Sequence, residues 1–112
     1  MEEKSEDQKC KIADCYLMIG EITAENGQLE EAISEYTFAL EILKELYSDN
    51  HRRTAEVYFT LGCAHDGIYQ FSKSKECFKK AITGLETRLV ELEKIDVTER
   101  KHADKKDITL KG

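Results

Sequence analysis

The sequence predicts an all-α fold of two antiparallel helical hairpins whose last helix is extended. The main observation is an internal repeat. Eight residue pairs recur at an offset of 42: Ala13 with Ala55, Tyr16 with Tyr58, Ile19 with Leu61, Gly20 with Gly62, Leu29 with Phe71, Tyr36 with Phe78, Ala39 with Ala81, and Leu43 with Leu85. Within each copy an aromatic, an apolar residue and a glycine lie on one segment, and an aromatic and a small alanine on the next. The second observation is composition. The 112 residues are 36% charged and contain neither proline nor tryptophan, which suits solvated helices with few breaks.

The elements follow in order. Residues 1–10 read as a polar lead-in. A first helix spans roughly residues 11–26, stopped by Asn26-Gly27. A second spans about 29–47 and ends at the polar turn Ser48-Asp49-Asn50. A third begins near Arg53 and closes at Asp66-Gly67. A fourth begins near Ser72 and runs past Glu93, interrupted at Gly84 but keeping Ile82, Leu85, Leu89 and Leu92 at helical spacing. Beyond Ile95 the pattern weakens, and the mixed charge of 101–112 predicts a tail without structure. The expected domain is 11–100, with repeat one at 13–47 and repeat two at 55–95.

Two helices per repeat, with glycine and alanine at the crossing points, is the tetratricopeptide (TPR) pattern. The period is 42 where about 34 is usual. The additional residues fall in Leu40 to Arg53, so the second helix is long. Gly20 and Gly62 each cost a helix roughly 1 kcal/mol relative to alanine. That cost is tolerable where a neighbouring helix crosses too closely for a side chain. The expected core is Tyr16, Ile19, Leu29, Tyr36, Tyr58, Leu61, Phe71 and Phe78. Two repeats are fewer than the three or so that a self-sufficient stack needs. The fourth helix must therefore fold back as a cap, or leave Leu85, Leu89 and Leu92 for a partner or a second copy of the chain.

Charge narrows the function. The net charge is −6, and residues 12–69 hold 11 acidic against 3 basic residues. An acidic body argues against direct nucleic-acid binding, which needs basic residues to displace counterions, and favours a basic partner. No apolar stretch reaches the ~20 residues of a membrane span. The polar start, Met1 to Asp7, does not read as a signal peptide. Cys10, Cys15, Cys63 and Cys77 lack C-x-x-C spacing, so neither a metal site nor any other cofactor is expected. His51, His65 and His102 cannot be joined to a nucleophile and an orienting group by local spacing, and no catalytic residue is assigned.

The first helix of each hairpin lines the concave face of such a scaffold, where peptides bind. Helical spacing opposite the core places Asp14, Leu17, Glu21, Ala24 and Glu25 there from repeat one. Repeat two supplies Glu56, Phe59, Cys63, Asp66 and Gly67. Five of these ten are acidic and none is basic, so Asp14, Glu21, Glu25, Glu56 and Asp66 surround the apolar Leu17 and Phe59. Carboxylates take arginine bidentately, and the set suits a segment carrying Arg or Lys beside an apolar anchor. A carboxylate-clamp co-chaperone would carry Lys, Asn and Arg on this face and is not expected.

The segment Gly20-Glu21-Ile22-Thr23-Ala24-Glu25, the connector ending His51-Arg52-Arg53-Thr54-Ala55-Glu56-Val57-Tyr58, and Phe71-Ser72-Lys73-Ser74 before a long helix carry a family resemblance. Together they resemble the NASP-like histone chaperones, whose repeats include one interrupted by an acidic insertion. The resemblance implies histone binding, with core histone H3, alone or with H4, as partner. It implies that Glu21, Glu25 and Glu56 contact an arginine-rich histone segment, and a nuclear location with the cytoplasm as a second compartment. Two alternatives stand beside it. One is a kinesin-light-chain-type module binding cargo peptides, although His51 is followed by Arg52 and not by proline. The other is a structural subunit that forms a homo-oligomer through Leu85, Leu89 and Leu92.

Overall fold

In the computed structural model the backbone is described for residues 5–111 and the side chains for residues 5–95. Four helices follow one another: α1 (Glu6–Glu25), α2 (Leu29–Leu46), α3 (Arg52–Gly67) and α4 (Phe71–Lys111). α1 packs on α2, α2 on α3, and α3 on α4. This is the expected all-α arrangement of two stacked TPR hairpins.

Three boundaries differ from expectation. α1 begins at Glu6, because Ser5 and Gln8 form a capping box. The Gln8 backbone N–H donates to Ser5 Oγ, and the Ser5 N–H to Gln8 Oε1, both at 3.2 Å. So residues 6–10 are helix, and only residues 1–4 of the expected lead-in lie outside the described residues. α4 likewise runs on to Lys111, through most of the segment expected to lack structure. No proline follows Gly84, and the next glycine is Gly112, so nothing in the sequence stops the helix earlier. The third boundary is Gly84, which does not interrupt α4. A Cβ there would meet the Ala55 Cβ at 2.7 Å, so the missing side chain lets α4 cross the start of α3.

The two repeat glycines act as close-approach points. A Cβ on Gly20 would lie 2.5 Å from the Tyr36 ring, and one on Gly62 2.7 Å from the Phe78 ring. The turns are also repeat-equivalent. Gly27 has φ +83°, and its counterpart 42 residues on, Tyr69, has φ +64°. Repeat one thus uses glycine for a left-handed turn, where repeat two holds an aromatic at a cost of roughly 1–2 kcal/mol.

The core gathers Ala13, Tyr36, Ala39, Leu40, Leu43, Val57, Tyr58, Leu61 and Ala81. Of the expected core residues, Tyr36, Tyr58 and Leu61 are buried, and Tyr16, Leu29 and Phe78 are half-buried. Ile19 and Phe71 are not in the core: they are 48% and 60% exposed. The reason is their place in the stack. Leu61, the counterpart of Ile19, lies in the core cluster beside α2, whereas no described helix precedes α1. Phe71 corresponds to Leu29, which lies under Gly67, and no described helix follows α4 to play that part.

Tyr58 adds a pH-dependent contact. Its hydroxyl donates to Asp49 Oδ1 at 3.4 Å. Burial, followed by the Asp49 charge, pushes its pKa from 10.0 up to about 12. The folded protein therefore holds the proton more tightly than the unfolded chain. The stability this contributes is complete below pH 10.0 and is lost as pH rises towards about 12. Thermal unfolding midpoints across this range are expected to fall for the wild type and to fall less for Tyr58→Phe. Equal slopes would contradict the assignment.

Candidate functional site

α1 and α3 are the first helices of the two hairpins. Asp14, Glu21 and Glu25 of α1, and Glu56, Phe59, Cys63 and Asp66 of α3, are all exposed. Leu17 is half-buried and packs against the core. Phe59 is 53% exposed, its ring tilted against that of Phe78 with centroids 5.6 Å apart. It presents an apolar surface on a fixed aromatic base. Tyr36 on α2 senses the acidic charge of this region. Its pKa is raised first by burial, then by the charges of Glu21, Glu35, Glu25 and Cys63.

The carboxylates fall into two sets. Asp14 is paired with the Arg53 guanidinium and Glu56 with Arg52 Nε at 3.5 Å. Among the described residues Glu21, Glu25 and Asp66 carry no ion pair with a cationic side chain. One end of the face is internally neutralised, and the other offers open carboxylates. The Arg52–Glu56 pair is legible in sequence as an i, i+4 spacing. The Arg53–Asp14 pair is not, because it joins residues 39 apart in the chain.

Arg53 belongs to a wider cluster that sequence reasoning missed. His51 caps α3 by accepting the Arg53 N–H on Nδ1 at 3.1 Å, and its ring stacks on Tyr47 with centroids 4.1 Å apart. The Tyr47 hydroxyl lies 3.4 Å from Cys10 Sγ. Behind this cluster a cleft of about 480 Å³ is lined by Ser48, Asn50, His51, Arg52, Arg53, Thr87, Arg88 and Glu91. It holds none of the predicted groove residues.

Other chemistry has little to build on. His65 Nδ1 is engaged with Gln70 Oε1 at 2.8 Å, closing the turn between α3 and α4. Burial pushes the Cys77 thiol up, away from the thiolate form. Among the described residues no group of three or more His, Cys, Asp or Glu side chains is placed to hold a metal ion, and no helix is long and apolar enough to cross a membrane.

Comparison with known proteins agrees with this architecture. The tetratricopeptide repeat pattern matches residues 12–87. The chain is 31% identical over 87 residues to Protein HGV2 of Halocynthia roretzi, covering 78% of this chain and 17% of that protein. It is 24% identical over 98 residues to the nuclear autoantigenic sperm protein of Oryctolagus cuniculus, covering 81% and 14% respectively. The human nuclear autoantigenic sperm protein is 25% identical over 90 residues, covering 80% and 11%. The chain therefore spans less than a fifth of the length of these relatives. With the pattern matched across both hairpins, the chain belongs to the tetratricopeptide repeat family.

Proposed function

We propose that this chain is a histone-binding module whose α1–α3 face holds an arginine-rich segment of core histone H3, alone or with H4. TPR scaffolds of this kind mediate protein–protein contacts, and that coarser role follows from the family. What supports the finer reading is three exposed carboxylates, Glu21, Glu25 and Asp66, that carry no ion pair with a cationic side chain among the described residues, on the same two helices as Leu17 and Phe59. Arginine offers a planar fork that pairs with a carboxylate bidentately, and its aliphatic stem packs on apolar surface. Similarity to the nuclear autoantigenic sperm proteins supports the same partner and a nuclear location. In this reading Asp14 and Glu56 set the end of the site, being already paired with Arg53 and Arg52.

The test is charge reversal. Glu21→Lys with Glu25→Lys is expected to weaken binding of purified H3–H4 by roughly tenfold or more per arginine pair lost. Both side chains are exposed, so the unfolding midpoint should hold. The matched control reverses Glu30, Glu31 and Glu41, exposed on α2. Glu35 is unsuited to that control because its Oε2 is buried. Equal binding by both variants would remove the groove from the account. A wild type that ignores core histones would favour a cargo-peptide role.

A further inference from the structure

Among the described residues ten of the thirteen exposed large apolar side chains lie on α1 or α4, Phe38, Phe59 and Tyr69 being the exceptions, and the internal repeat relates the two faces. Inside the molecule α2 packs on α3. Thr54, Val57, Leu61 and Ala64 of α3 are each 5% exposed or less, Leu40 and Leu43 of α2 are 9% and 0% exposed, and all of these but Thr54 share one core cluster. Shifting α3 back by one repeat of 42 gives Ile12, Cys15, Ile19 and Ile22 of α1. Ile19 and Ile22 are 48% and 59% exposed. Shifting α2 forward gives Ile82 and Leu85 of α4, 53% and 39% exposed, with Leu89 in the place of Tyr47 at 58%. One end therefore shows the α3-type half of the internal contact, and the other end shows the α2-type half.

The charges of the two ends are also opposite. α1 holds five acidic residues against Lys9 and Lys11, while residues 71–95 of α4 hold six basic residues against four acidic ones.

We propose that the chain stacks end to end, the exposed face of α4 receiving the exposed face of α1 of a second copy as α2 receives α3 within one chain. The contact is heterologous: different patches meet, so it does not close on a pair and each added copy leaves the same two faces free. It differs from symmetric pairing of α4 stripes, which would use Leu89 and Leu92 on both partners and leave α1 bare. The apolar core of the contact supplies its strength, and the acidic and basic flanks fix its direction.

The experiment is sedimentation velocity of the full chain over a wide concentration range, with two end-blocked variants. One carries Ile19→Arg and Ile22→Arg on α1; the other carries Ile82→Arg and Leu89→Arg on α4. These positions are about half exposed or more, and circular dichroism and the unfolding midpoint check that each variant keeps the fold. The wild type should grow in mass beyond a pair as concentration rises. Each variant alone should stay a single chain. Mixed together, they should form a pair and stop, because only one intact α4 face and one intact α1 face remain to meet. A wild type that stays a single chain throughout would overturn the proposal. So would an α1 variant that still pairs by itself, which marks symmetric α4 contact, or a mixture that does not pair.

Discussion

Leu43→Ala is expected to bring this protein close to global unfolding. Leu43 is 0% exposed and is one of the largest fully buried side chains in the described core. It sits on α2 in the cluster that joins both hairpins, so no solvent-facing neighbour can move in to fill the space. Truncation of a fully buried leucine costs about 2–5 kcal/mol, from lost transfer energy and the cavity left behind. A small domain has roughly 5–15 kcal/mol in total, and a two-repeat stack lies at the lower end of that range. Urea denaturation should therefore show the midpoint falling by a third or more with little change in slope. The repeat partner Leu85 supplies the contrast. It is 39% exposed, and Leu85→Ala should cost much less in a single chain. Similar losses at the two positions would contradict the packing described.

Gly62→Val is expected to destabilise against its own helix propensity. Valine is the better residue in an isolated helix, by a few tenths of a kcal/mol over glycine. Yet a Cβ at position 62 lies 2.7 Å from Phe78 Cε1 and 2.8 Å from Cδ1, too close for the ring to stay where it is. Phe78 is in turn tilted against Phe59, so displacing it disturbs the aromatic edge of the candidate groove. Overpacking of this kind costs about 1–3 kcal/mol, and it outweighs the propensity gain. Thermal unfolding reads the sign directly. A raised midpoint would mean that Phe78 has room to swing out and that α3 and α4 are less tightly crossed than described.

Much of this fold is legible in the sequence because the repeat writes the same packing solution twice. Gly20 lies under Tyr36 and Gly62 under Phe78, so one spacing predicts both crossings. Burial is less legible, because it depends on how many repeats surround a residue. Ile19 and Leu61 are equivalent in sequence, yet one is exposed and the other lies in the core cluster, since α3 packs between α2 and α4 whereas α1 packs on α2 alone among the described helices. The Ser5–Gln8 capping box was readable from spacing alone and moves the start of α1 to Glu6. The acidic residues that helical spacing selects are exposed. Spacing cannot foresee that Arg53 reaches across to Asp14, because that pairing exists only once the two hairpins have stacked. The open carboxylates are consequently fewer than the sequence suggests, and they concentrate at Glu21, Glu25 and Asp66.

Amide chemical-shift mapping of the isotope-labelled chain, titrated with arginine-rich peptides of histone H3, locates the binding face residue by residue. The strongest perturbations are expected on α1 and α3, around Leu17, Glu21, Glu25, Phe59, Cys63 and Asp66, and should shrink as salt is added. Perturbations centred on the exposed faces of α2 or α4, or a spectrum unchanged by every peptide, would contradict the proposed groove.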